Sequence, residues 1–328
     1  MTDEPETTDG GEQSEAPRTS SDRKSDGGER SEAQRASSDR RSDGGIAVER
    51  EPVADDADAD VDGVDDATDA SELHGEGLAI GYPDTGIVVE CESIVLPAGE
   101  VTALVGPNGS GKSTLLKAFA EQLTPDDGSV LLDGEDVHAM GTKALARRLG
   151  MLSQENESPD SITVEELAYH GRYPHRGFFE SASEEDHQAV ERALDLAGVT
   201  HLRDEEMGSL SGGQRQLAWI AMVLAQETDV LLLDEPTTYL DLRHQLHVLD
   251  VVRTLADEAD LTIGVVLHDV AQAARYADNL VALKDGEPYD WGPPADVVTE
   301  ELLAAVFGVE ATVESSDDGP VVRPHRPL

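Results

Sequence analysis

The chain has 328 residues, with 24 basic against 69 acidic side chains, a formal charge of −45 and an isoelectric point near 4.2. The length admits one large domain or two small ones. A surface this acidic repels phosphate backbones and anionic lipid head groups, so no nucleic-acid partner is expected.

Residues 1–74 hold about a third of the acidic excess. They are rich in Ser, Asp, Glu, Gly and Arg and nearly lack large apolar side chains, so burial cannot offset ordering entropy and a disordered acidic tail is predicted. Within them SEAPRTSSDRKSDGG (Ser14–Gly28) recurs as SEAQRASSDRRSDGG (Ser31–Gly45), and an acidic run follows over Asp55–Asp69. Such polar copies fit tract duplication rather than a solenoid, which needs apolar positions to stack. No apolar h-region marks a secretory signal. No apolar run along the chain approaches the ~18 residues of a membrane span. The expectation is a cytoplasmic chain that meets a membrane only through a partner. Beyond the tail the sequence stays strongly acidic, with four lysines after Gly75, a balance that fits a salty cytoplasm where screening weakens self-repulsion.

From residue 75 the texture changes, and residues 75–311 are predicted to form one domain, with 312–328 a C-terminal tail. LAIGY and GIVVECESIVL read as strands, and Cys91, the one cysteine, sits in the second as a candidate buried thiol. LPAGE makes a turn before VTALV (Val101–Val105), a short run apolar throughout. VLLLDE (Val230–Glu235) and LTIGVVLHD (Leu261–Asp269) have the same texture. Strands buried on both faces of a parallel sheet read this way. Helical patterns alternate with them in KSTLLKAFAEQL and LRHQLHVLDVVRTLADEA, so the core is an α/β nucleotide-binding fold with a mostly parallel sheet and a β-rich N-terminal part. Between them TVEELAYHG, EEDHQAVERALDLAG and GGQRQLAWIAMVLAQ read as helices, giving a helical subdomain over about 155–227.

GPNGSGKST fits G-x-x-x-x-G-K-[ST] between a predicted strand and a predicted helix. Gly106, Pro107, Asn108, Gly109, Ser110 and Gly111 form the loop. Its glycines turn backbone amides toward the β- and γ-phosphates of a nucleotide, where Lys112 adds a point charge and Ser113, followed by Thr114, offers a hydroxyl to Mg²⁺. Asp234 and Glu235 end a buried strand, where an unpaired carboxylate is costly. Asp234 fits an acid on the Mg²⁺ side, and Glu235 a base that orients or deprotonates water; a structural ion pair is the alternative for either alone. LSGGQ (Leu210–Gln214) places Ser211, Gly212, Gly213 and Gln214 at the mouth of another helix. Taken alone it reads as an ordinary Ser-Gly-Gly cap. Beside the first loop it makes a second anion cradle, and two cradles for one triphosphate imply that the second serves nucleotide on another copy.

In this order the strings resemble the P-loop ATPase subunit of ATP-binding cassette (ABC) transporters, over about Gly77–Val309. The resemblance implies ATP hydrolysis with Mg²⁺ in a homodimer. It implies that Tyr82 stacks on adenine and that Gln154 senses Mg²⁺ and the membrane permease. It further implies that Tyr239-Leu240-Asp241 crosses the dimer interface, with Asp241 its acidic end, and that His268 contacts the γ-phosphate. GRYPHRGFF, TTYLD and HDVAQAARYADNLVALKDGE are similar to the ATPases of importers for ferric siderophores, haem and cobalamin. That likeness implies permease subunits in the membrane, an external binding protein, and a position on the cytoplasmic face. Rival readings are a soluble ABC ATPase of chromosome maintenance or translation, and a separate-subunit exporter. The short span between cradle and LSGGQ leaves no room for a coiled coil, and one cassette is present rather than two. His170, His175 and His187 are expected on solvated helices, and His325 in a terminal loop.

Overall fold

The computed structural model describes residues 70–328 apart from 155, 178–179 and 317–318. Of the tail predicted over residues 1–74, residues 1–69 with the repeats lie outside the described residues; its last part is not disordered, because Leu73 and His74 open β1 and Leu73 is buried in the core. In chain order the elements are β1 (Leu73–Tyr82), β2 (Gly86–Leu96), β3 (Val101–Val105), α1 (Lys112–Phe119), β4 (Asp127–Leu132), β5 (Glu135–Asp136), α2 (Thr142–Leu145) and β6 (Leu149–Leu152). Next come α3 (Val164–His170), α4 (Glu184–Leu196), α5 (Gly212–Leu224), β7 (Val230–Asp234), α6 (Leu242–Ala259), β8 (Thr262–Val266) and α7 (Val270–Tyr276). The chain closes with β9 (Asn279–Lys284), β10 (Glu287–Gly292), α8 (Pro294–Val297), α9 (Glu300–Phe307), β11 (Val309–Ser316) and β12 (Gly319–Pro327).

The central sheet runs β10-β9-β3-β8-β7-β6, parallel except for its β10 edge. All five residues of β3, β7 and β8 are buried, as their unbroken apolar texture predicts. Their two-residue period then divides the interior. Leu231 and Leu233 of β7 face the core beneath α5 and α6, while Val230 and Leu232 face a second core with Leu115, Leu116 and Phe119 of α1. That second core is closed by an antiparallel sheet of order β2-β1-β4-β5, in which Cys91 is buried and its thiol pushed up by burial. Helix α1 ends sooner than KSTLLKAFAEQL suggests: Glu121 turns to φ 58°, and the amide of Gln122 closes back on the Lys117 carbonyl at 2.9 Å.

Helices α3, α4 and α5 start with one device. Thr163 with Glu166, Ser183 with Asp186 and Ser211 with Gln214 are capping boxes, each pair satisfying two amides of a first turn. Arg172, 1% exposed, ties the three helices together. It donates to Asp186 Oδ1 at 2.8 Å, to the Ala225 carbonyl at 2.9 Å and to Glu227 Oε2 at 2.8 Å. Burial pushes the Asp186 carboxyl up, but Arg172 and the Ser183 amide and hydroxyl outweigh it and bring the pKa down to about 2.

Two further expectations change. Residues 312–328 are not an irregular tail: β11 and β12 pair as an antiparallel hairpin whose Val313 and Val322 pack on the core, and the Leu328 amide bonds the Gly308 carbonyl at 2.7 Å. His325 is therefore a strand residue, its Nε2 2.8 Å from Thr312 Oγ1. Pro324 and Pro327 are tolerated because β12 pairs on one side only. His175 lies in the turn after α3, not on a helix, where its Nε2 meets the Gln226 carbonyl at 2.7 Å. His170 and His187 do lie exposed on α3 and α4. Among the described residues no helix is long and apolar enough to cross a membrane.

Candidate active site

Parallel strands β3, β7 and β8 all deliver their carboxyl ends to the same edge of the sheet, so residues distant in sequence converge there. The loop after β3 carries Gly106 at φ 149°, where an added Cβ would sit 2.2 Å from the Leu283 carbonyl oxygen. Glycine is required at that point by both conformation and space. The loop runs into α1, placing the amides of its first turn at the site.

Lys112, 5% exposed, donates its ammonium to the carbonyls of Gly106 (2.9 Å) and Pro107 (3.0 Å). Burial lowers its pKa, against the opposing pull of the Glu235 and Asp234 carboxylates. Ser113 Oγ donates to Asp234 Oδ1 at 2.8 Å, bringing the hydroxyl of α1 and the last carboxylate of β7 together. Burial raises the Asp234 pKa; the Ser113 hydroxyl opposes this and the neighbouring Glu235 charge adds to it. This buried hydroxyl–carboxylate pair is the hard-oxygen donor set that a small divalent cation takes.

Glu235 follows β7 at φ 53°, outside the usual range for a side-chain-bearing residue. Its Oε2 accepts from Gln154 Nε2 (2.6 Å) and Thr238 Oγ1 (3.1 Å) and has His268 Nε2 at 2.7 Å. Thus β6, β7 and β8 each place one polar side chain, just beyond the strand, on a single oxygen. The other oxygen, Oε1, carries none of these contacts.

Lys112, Ser113, Gln154, Glu235, Thr238 and His268 line a cavity of about 420 Å³ with Asn108, Gly109, Gly111, Thr114 and Val88, while Asp234 is buried outside the lining. Tyr82 is not in the lining; it stands at the end of β1 with its Oη 3.4 Å from Thr114 Oγ1. Tyr239, which is in the lining, is 97% exposed at φ 64°. The sequence motifs do not single out Thr238 or Val88. Thr238 has a legible signal, a hydroxyl three residues after a strand-end carboxylate, whereas Val88 has none.

Ser211 and Gln214 do not reach this cavity. They line another, of about 560 Å³, with His201, Arg243, His244 and His247. Ser211 accepts from the Gln214 amide at 3.4 Å, and Gln214 Oε1 accepts from the Ser211 amide at 3.0 Å. Gly213 lies so close to His244 that a Cβ would meet its Cδ2 at 2.1 Å. Asp241 caps α6, accepting from the His244 amide at 3.0 Å with His244 Nδ1 at 2.8 Å; these donors hold its carboxyl below the usual range. The loop before α6 and the Ser-Gly-Gly turn are therefore joined through His244. Among the described residues, no group of three or more His, Cys, Asp or Glu is arranged to hold a metal ion.

Residues 92–238 match the sequence model of the ABC transporter family. The ferric enterobactin transport ATP-binding protein FepC of Escherichia coli is 46% identical over 243 residues, spanning 74% of this chain and 89% of that protein. The cobalamin import ATP-binding protein BtuD of Halobacterium salinarum is 42% identical over 237 residues, which cover 72% of this chain and 59% of that one. Among solved structures, one assigned to the metal-chelate type of ABC transporter in an inward-facing conformation superposes with a TM-score of 0.67. It is 29% identical and covers 79% of this chain and 98% of its own. With the phosphate loop, the strand-end carboxylates and the Ser-Gly-Gly turn in place, the chain belongs to the ATP-binding subunits of the ABC transporter family.

Proposed function

We propose that the protein is the ATP-hydrolysing subunit of an ABC importer, which couples ATP binding and hydrolysis to uptake of a ferric siderophore, haem or cobalamin type of cargo through separate permease subunits. The relatives named for ferric enterobactin transport and cobalamin import support the cargo class. The observation that carries the mechanism is the separation of the two cavities: one holds the phosphate loop, Gln154, Glu235 and His268, and the other holds Ser211 and Gln214. One copy supplies only half of a triphosphate grip. Two copies facing each other make two whole sites, with Ser211, Gly212, Gly213 and Gln214 of one closing on nucleotide held by the other and Asp241 in the contact between them.

In each site Tyr82 stacks on adenine. The amides of Gly106–Gly111 and the start of α1 take the phosphates, and Lys112 exchanges its loop carbonyls for phosphate oxygens. Ser113, Asp234 and Gln154 would hold Mg²⁺, which would supply positive charge against the developing charge of the reaction. Glu235 takes a proton from the attacking water on its free oxygen, and His268 turns to the γ-phosphate. The products are ADP and phosphate. Release opens the dimer, and the surface around Gln154 and helices α3–α5 passes the motion to the permease. The subunit sits peripherally on the cytoplasmic face of the membrane, and the permease receives cargo from an external binding protein.

The test is Glu235→Gln. The variant should bind ATP as tightly as the parent, accumulate as a closed dimer on size exclusion, and turn over at least a hundredfold more slowly, the scale of a lost general base. Parental turnover would remove Glu235 from the role of base.

A further inference from the structure

We infer that Thr238 is a positioning residue for hydrolysis, holding Glu235 from two sides so that its free oxygen faces the water. The inference rests on Glu235 acting as the base. Glu235 needs holding in place. Its φ of 53° lies in the left-handed region, sparsely populated by side chains of its length, and it follows the last ordered pair of β7 with β8. Thr238 acts on both parts of it. Its amide donates to the Glu235 carbonyl at 3.2 Å, closing a turn over residues 235–238, and its hydroxyl donates to Glu235 Oε2 at 3.1 Å. One residue thus fixes the backbone that sets the direction of the side chain and the carboxylate at its end.

The other two groups on Oε2 differ in kind. Gln154 and His268 come from other strands and line the cavity with polar ends that, in the proposed reaction, have ligands of their own. When Gln154 takes the cation and His268 the γ-phosphate, their hold on Oε2 is shared or given up. Thr238 lines the same cavity, but the proposed reaction gives it no ligand of its own, so its hydroxyl stays on the carboxylate and its amide in the turn. It is the one contact that persists as nucleotide enters, and it engages the oxygen that does not take the proton. A hydrogen bond to a charged acceptor is strong enough to hold such a group within the narrow geometry that proton transfer needs.

Thr238→Val keeps the shape and the backbone turn and removes the hydroxyl; Thr238→Ser restores it. With the full chain, ATP turnover is measured against ATP concentration for both variants, for Glu235→Gln and for the Glu235→Gln/Thr238→Val double variant. The valine variant should lose about tenfold in kcat, the order of one charge-assisted hydrogen bond, with KM for ATP and melting temperature unchanged. Serine should recover most of the loss, and the double variant should fall no lower than Glu235→Gln, because Thr238 acts only through Glu235. Parental kcat in the valine variant, a rise in KM with kcat intact, or serine no better than valine would each overturn the positioning role. If Glu235→Gln is inactive and the valine variant unaffected, positioning fails and the base stands. If Glu235→Gln turns over at the parental rate, the base itself fails.

Discussion

The two loops proposed to grip the nucleotide are made in different ways. The phosphate loop hangs from β3 in the middle of a sheet buried on both faces, and its partners arrive from β6, β7 and β8. The Ser-Gly-Gly turn is a helix cap whose Ser211 and Gln214 bond mainly to each other, braced by His244 against Gly213. The first is framed by several strand ends that meet at one edge of the sheet. The second is local and solvent-facing, so it can move as a unit with α3–α5. On the proposed reading, the half that carries Ser211 and Gln214 is the one that moves, and the half that carries Lys112 stays in place.

The sharpest way to break this comparison is to disable one half at a time. Lys112→Ala should abolish tight ATP binding in its own copy. Ser211→Glu should leave ATP binding near the parental level while placing a negative charge against the partner's phosphates, lowering turnover at least a hundredfold. Mixing the two inactive variants should then restore a measurable fraction of activity, because a mixed dimer holds one site with both an intact Lys112 loop and an intact Ser211 turn. An absence of complementation, with mixed dimers verified by tagged pull-down, would show that both loops serve nucleotide within one copy. Full turnover by a strictly monomeric preparation would do the same.

Legibility in the sequence follows the same division between local and distant. The buried strands are readable because a run such as VTALV or VLLLD has few other homes, and α6 spans the residues of its apolar pattern, Leu242–Ala259. The three capping boxes are visible as Thr or Ser followed three residues later by Glu, Asp or Gln. The web around Glu235 is not readable as geometry, because Gln154 lies 81 positions away and no local pattern aligns two side chains across three strands. The C-terminal hairpin escapes for a different reason. Its three prolines and short valine run look like a loop until β11 supplies a partner and the core supplies a face for Val313 and Val322.

Arg172 carries the comparison into stability. The phosphate-loop half is held by apolar strands, whereas the helical half depends in part on one guanidinium that is nearly sealed from water and shared by Asp186, Glu227 and the Ala225 carbonyl. Removing it leaves Asp186 buried without its partner, and breaking a buried pair from one side costs about 3–5 kcal/mol. Arg172→Met should therefore lower the denaturation midpoint strongly, and Arg172→Met with Asp186→Leu should recover part of the loss. An equal loss in both would show that the charge pair is not what the helices lean on.

The smallest effect is the pH response of the same pair. The folded Asp186 carboxyl titrates at about 2, below the ordinary value of about 4. Its contribution to stability is fully present above about pH 4 and is lost as pH falls toward 2, since protonation there is easier in the unfolded chain. Other carboxylates titrate over the same range, so the parent alone cannot isolate this contribution. The difference between the parent and Asp186→Asn, measured by denaturant unfolding at stepped pH, should be flat from pH 7 to about 5 and shrink below about pH 4. A difference that stays constant down to pH 3 would mean that the charge of Asp186 contributes nothing to stability, through Arg172 or through the Ser183 donors.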